Sequence, residues 1–83
     1  MNEVIIMSNL KAILEQRNIS LKELSRRIDY NFEAVRRIAN NKATSFSRVA
    51  LAKICTELEI TPNELLYVAQ LESNNNESEK QPN

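Results

Sequence analysis

Four polar residues in this chain each sit between an apolar residue directly before and another four positions after, and that spacing fixes where helices begin. Ile19 and Leu24 frame Ser20, Tyr30 and Val35 frame Asn31, Phe46 and Leu51 frame Ser47, and Ile60 and Leu65 frame Thr61. Serine, threonine and asparagine side chains accept hydrogen bonds from the amides that a helix's first turn leaves unpaired. The flanking apolar pair closes over the cap as a hydrophobic staple. Glu23 and Glu64, each three residues past a cap, add capping boxes, and Pro62 stands at a first helical position. Helices are therefore predicted from Leu21, Phe32, Arg48 and Pro62.

The remaining elements follow from periodicity. Leu10, Ile13 and Leu14 share one face of a first helix over about residues 9–17, capped by Ser8 and ended at Arg17-Asn18. The helix from Phe32 closes at Asn40-Asn41, because a chain without glycine has asparagine as its least costly left-handed residue. The fourth helix, about 48–58, directs Leu51, Ile54, Cys55 and Leu58 inward. The fifth carries Leu65, Leu66, Val68, Ala69 and Leu71, an apolar surface wider than one stripe and a candidate dimer contact. Residues 1–7 contain VIIM, a short strand or extended arm that must be covered; packing on the chain's own last helix is favoured over joining two chains. Residues 72–83 carry no apolar residue and are expected to form a disordered tail.

Eighty-three residues allow one small domain, expected over 1–71, with the tail as 72–83. No segment approaches the roughly 20 apolar residues that span a bilayer, and Glu3 before a four-residue apolar run is no signal peptide. The lone Cys55 has no internal disulfide partner, which fits a reducing cytoplasm. There is no histidine, the carboxylates are scattered and no glycine loop is present, so no enzyme, cofactor or metal site is expected. Net charge is zero, yet it is unevenly distributed. Residues 20–56 hold eight cations against three acids, a net of +5; the rest holds three cations against eight acids, −5. The positive half coincides with the two helices at 21–41, as a phosphate footprint would.

Within 21–41, Leu21, Leu24 and Ile28 make the inner face of one short helix. Val35 and Ile38 make that of the next, across a corner at Asp29-Tyr30-Asn31. Phe32, Glu33, Arg36 and Arg37 then face out. Two adjacent arginines on a helix anchored from behind suit the DNA major groove, although charged faces are often merely solvated.

The pattern Ser20-x-x-Glu23-Leu24-Ser25 … Ile28 … Asn31 … Val35 … Ile38 … Asn40, continued by Leu51 … Ile54-Cys55 … Leu58 … Ile60-Thr61-Pro62-Asn63-Glu64-Leu65-Leu66, resembles the Cro/C1-type helix-turn-helix family of phage and bacterial regulators. The opening VIIMSNLKAILEQRNIS resembles its short single-domain members. The resemblance covers roughly residues 4–66. It implies an all-α fold: a compact five-helix domain with a short N-terminal extended arm, binding double-stranded DNA and controlling transcription, often as a homodimer. Two positions depart from the family pattern: Ser25 where alanine is usual, and Asp29 where glycine is usual. Asp29 needs a strained backbone if its φ is positive. The loop before the fourth helix is also longer than in the shortest phage repressors.

On this resemblance, bases are read by Phe32, Glu33, Arg36 and Arg37. Arg37 is the best candidate for a bidentate grip on guanine O6 and N7. Glu33 either accepts from a cytosine amino group or serves as a first-turn acid and i, i+4 partner of Arg37. Phe32 either presses on a thymine methyl or folds back into the core. Phosphate contacts are expected from Ser20, Lys22, Asn31, Asn40, Lys42, Thr44 and Ser45. Arg26 and Arg27 are solubilising or paired with an acid. The main expectation is a sequence-specific DNA-binding regulator of the repressor kind; the alternative is a protein-binding helix-turn-helix module, an antirepressor or antitoxin-like partner, with weak or no DNA binding.

Overall fold

The computed structural model of the protein describes residues 3–71. In order they form β1 (Glu3–Ser8), α1 (Leu10–Arg17), α2 (Leu21–Ile28), α3 (Phe32–Ala39), α4 (Arg48–Leu58), α5 (Pro62–Leu65) and β2 (Leu66–Leu71). The tail expected over 72–83 lies outside the described residues.

The staple positions are the helix starts. Ser20 Oγ accepts from the Glu23 amide at 3.0 Å, Asn31 Oδ1 from Ala34 at 2.9 Å and Ser47 Oγ from Ala50 at 3.2 Å. At α5 the Glu64 carboxylate accepts from the Thr61 amide at 2.8 Å. Two details differ from expectation. The residue bordering α1 is Asn9, while Ser8 Oγ still accepts from the Leu10 amide at 2.9 Å. The box at α2 is only half made, because the Glu23 carboxylate turns to Arg26 and Arg27 instead of back to Ser20.

Among the described residues four helix ends need a left-handed residue, and none is glycine: Asn18 (φ 57°), Asp29 (φ 54°), Asn41 (φ 58°) and Glu59 (φ 56°). Asparagine and aspartate tolerate this region through short polar side chains; glutamate has no such compensation. The Asp29 corner therefore does carry the anticipated strain. It is held by the Ser25 hydroxyl donating to the Tyr30 carbonyl. Serine in place of the usual alanine thus has a structural task. Lys53 Nζ on α4 also donates to the Ile28 carbonyl at 3.1 Å and lies 6.0 Å from the Tyr30 ring.

The core gathers Leu10 and Leu14 from α1, Leu24 and Ile28 from α2, Val35 and Ile38 from α3, Ile54 and Leu58 from α4, and Leu65. Burying these side chains against one another supplies the hydrophobic driving force of so small a domain. The inner face of α4 is rotated slightly from the predicted one: Ala50, Ile54 and Leu58 are buried, while Leu51 and Cys55 are half-buried.

The all-α expectation needs correcting at the C-terminal end. The fifth helix is a single turn, and the chain then becomes β2, antiparallel to β1 with Ile6 opposite Val68 and Ser8 opposite Leu66. Asn9 ends the helix by donating its backbone amide to the Leu65 carbonyl at 2.8 Å and its side-chain amide to Glu64 at 3.2 Å. The VIIM arm is thus partnered by a strand of its own chain and not by a helix. The apolar stretch after Leu65 looked too wide for a helical stripe because residues 66–71 form a strand with apolar residues on both of its faces. None of the described helices is long and apolar enough to cross a membrane.

Candidate nucleic-acid interface

Helix α3 is fixed by its inner face. Val35 is fully buried and Ile38 and Ala39 nearly so, packed against the core behind the helix. The helical period then leaves Glu33, Arg36 and Arg37 exposed on the outer side. Phe32 is half-buried and does not join the core cluster, so the fold-back alternative is not what it adopts.

The two arginines differ in engagement. Arg36 Nη2 lies 2.8 Å from Glu33 Oε1, and Arg36 Nε donates to the same oxygen at 3.3 Å. The partner of Glu33 is therefore Arg36, one turn on at i, i+3, and not Arg37 at i, i+4. This guanidinium holds the Glu33 carboxyl below its ordinary value. Among the described residues Arg37 makes no ion pair.

Arg37 instead borders a cleft of about 390 Å³ that also meets Lys42, Thr44, Ser45 and Ser47. The cleft exists because the chain leaves α3 through the left-handed Asn41 and turns back over the helix end. There the amides of Lys42 and Ala43 donate to the Arg37 carbonyl at 2.8 and 3.3 Å. One predicted base-reading side chain and three predicted phosphate contacts, Lys42, Thr44 and Ser45, thus converge on one concavity. All four are exposed. Such an arrangement offers a forked guanidinium flanked by an ammonium and two hydroxyls, a donor set suited to anionic and base-edge acceptors.

The other predicted contacts lie elsewhere. Lys22 is exposed on the first turn of α2. The Ser20 hydroxyl oxygen and the Asn31 carbonyl oxygen are committed as caps, leaving the hydroxyl proton and the amide NH₂ as donors. Asn40 is half-buried outside the Arg37 cleft.

Several charges have structural partners. Arg26 and Arg27 both pair with Glu23, at 2.6 and 2.9 Å, and Arg27 reaches Glu57 on α4 at 3.6 Å. Glu23 is held below its ordinary value, first by Arg26 and then by Arg27. Lys53, part of the basic footprint in sequence, is engaged with the α2 corner. Sequence reasoning also missed Asn41 as an organiser: its side chain accepts from the Ser8 amide at 2.8 Å and donates to the Ser8 carbonyl at 3.4 Å, tying β1 to the end of α3. The only signal was its place as a candidate left-handed residue, which says nothing of a partner 33 positions away. Burial raises the pKa of the half-buried Cys55 thiol, as befits a packing residue rather than a nucleophile.

Known proteins identify the family of this fold. The Cro/C1-type HTH DNA-binding domain matches over residues 9–70. No curated protein matches the chain. Among solved structures, a candidate DNA-binding protein from Bacteroides fragilis superposes with a TM-score of 0.66 at 19% identity, covering 76% of this chain and 100% of that one; at that identity the likeness is one of fold. With the family match spanning most of the chain and the outward α3 in place, this protein belongs to the Cro/C1-type helix-turn-helix DNA-binding family.

Proposed function

We propose that the protein is a sequence-specific, double-stranded DNA-binding transcriptional regulator of the repressor kind, acting in the cytoplasm as a homodimer and reading the major groove with α3. The observation that carries this reading is the Arg37 cleft: an arginine without an acidic partner among the described residues, beside Lys42, Thr44 and Ser45, on a helix whose opposite face is locked in the core. Arg37 reads guanine O6 and N7. Phe32, Glu33 and Arg36 complete the base-reading face, with Arg36 exchanging Glu33 for DNA on binding. Lys42, Thr44 and Ser45 hold the adjacent phosphates, and Ser20, Lys22, Asn31 and Asn40 hold others through their remaining donors.

Selection of bound sites from a random duplex library, followed by a salt titration, tests the reading. The expected result is a palindromic site and a linear fall of log affinity with log salt. Arg37→Ala is expected to relax preference at one base position, a loss of about 1–3 kcal/mol of discrimination. Lys42→Ala is expected to weaken all sequences alike and to reduce the salt slope by about 1. A flat salt response would favour the protein-binding alternative, and equal sequence-independent losses from both variants would remove Arg37 from its role.

A further inference from the structure

Asn41 is the first residue past the C-cap of α3, and the loop at 42–45 begins directly after it. Its side chain grips a fixed point. Ser8 is buried, its backbone lies opposite Leu66 of β2, and its hydroxyl accepts from the Leu10 amide at 2.9 Å. Asn41 Oδ1 accepts from the Ser8 amide at 2.8 Å, and Asn41 Nδ2 returns a longer bond to the Ser8 carbonyl at 3.4 Å. One side-chain amide thus engages both backbone groups of one residue, as a paired strand residue would.

The clasp has a consequence for the loop. With φ at 58°, Asn41 turns the chain so that the Lys42 and Ala43 amides donate to the Arg37 carbonyl at 2.8 and 3.3 Å. Ala43 and Phe46 rest against the core, while Lys42, Thr44 and Ser45 are exposed. The segment has a hollow on each side. One is the Arg37 cleft. The other, toward β1, is a cavity of about 480 Å³ that Ile5, Ile6 and Phe46 help to line. A strap between two hollows takes its position from its anchors, and Asn41 is the anchor at the end where α3 delivers the chain.

We propose that Asn41 is a positioning residue for DNA binding: by clasping Ser8 it aims Lys42 first, and Thr44 and Ser45 with it, at the phosphates beside α3. This deepens the DNA-binding reading above and rests on it. Lys42 comes first because it is next in the chain and carries the charge. A loop without the clasp has to be ordered at the moment of binding, and fixing one residue costs on the order of a factor of ten in affinity. A loop already held by the fold avoids that loss. Base preference is untouched, because Val35 and Ile38 hold α3 independently of the clasp. The β1–β2 pair thereby gains a part in DNA binding, as the frame that locates Ser8.

The test is a double-mutant cycle on the full chain, read as affinity for a selected duplex site and for random duplex, at about 15 °C where circular dichroism shows each variant folded. Asn41→Gly keeps the left-handed backbone and removes the clasp. It is expected to weaken both duplexes alike, by about tenfold, and to leave the preferred bases unchanged. Added to Lys42→Ala it is expected to cost less than about a further threefold, because the charge it aims is gone; added to Lys22→Ala on α2 it is expected to cost its full factor of about ten. Without DNA, hydrogen exchange at the Lys42 and Ala43 amides is expected to quicken more than at the amide of the fully buried Ile54, which reports overall stability. An Asn41→Gly variant that binds both duplexes like the wild type overturns the proposal. So does a full tenfold loss on top of Lys42→Ala, or equal quickening at Lys42, Ala43 and Ile54. A wild type with no salt-dependent affinity for either duplex removes the DNA-binding reading and this inference with it; that result is read on the wild type alone, so the two failures are told apart.

Discussion

Replacing Asn41 probes the joint between β1 and α3. Its carbonyl oxygen accepts from the Ser8 amide at 2.8 Å, and Ser8 is buried, so removing the side chain strands that donor away from water. A hydrogen bond lost with a partner left unpaired costs about 1–2 kcal/mol. The return bond to the Ser8 carbonyl, at 3.4 Å, is long and adds little. Asn41 also holds φ at 58°, where an alanine Cβ costs about 1 kcal/mol and glycine has no such penalty. Asn41→Gly should therefore lose about 1–2 kcal/mol and Asn41→Ala about 2–3 kcal/mol. For a domain of this size that is a fall in Tm of about 5–15 °C for glycine and about 10–25 °C for alanine. Urea unfolding followed by circular dichroism, at one protein concentration for all variants, measures both. If both variants stay within about 0.3 kcal/mol of wild type, the tie between β1 and α3 carries no stability. If alanine and glycine are equal, the left-handed backbone at Asn41 carries no cost.

Two further outcomes follow from the same geometry. Glu59 occupies the left-handed region at φ 56° without a short polar side chain to compensate, so Glu59→Gly should stabilise by about 0.5–1 kcal/mol and raise Tm by about 2–8 °C; a lower Tm would show that the strain is absent. Glu23 and Glu33 titrate below their ordinary 4.5 because arginines bind their ionised forms. Their contribution is full above about pH 4.5 and disappears as pH falls through the lowered folded values. Glu33→Gln should accordingly flatten the acid limb of a stability–pH curve, and an unchanged limb would mean that the Arg36 pair does not persist in solution.

Helix starts were legible from the sequence because their causes are local. A cap, an amide three residues on and a staple pair all lie within six positions, so Ser20, Asn31 and Ser47 carry the same assignment in sequence and structure. The outward face of α3 was legible for the same reason, since Val35 and Ile38 fix the rotation of the helix and Arg36 and Arg37 follow. Which arginine was already spoken for was not legible: i, i+3 and i, i+4 are both within reach of Glu33, and side-chain geometry chose Arg36. The family resemblance supplied the roles of these positions, and the match over residues 9–70 bears out the family itself.

By itself, then, the sequence determined where the helices α2 to α5 begin, which side of α3 faces out and that a left-handed corner must fall on residues other than glycine. The tertiary structure decided that the segment after Leu65 is a strand, that Asn41 clasps Ser8 and that Lys53 holds the end of α2. The division is physical. Caps and staples are satisfied by neighbours a turn away, whereas a strand exists only when a partner presents its amides and carbonyls, and here that partner lies more than 50 positions earlier in the chain.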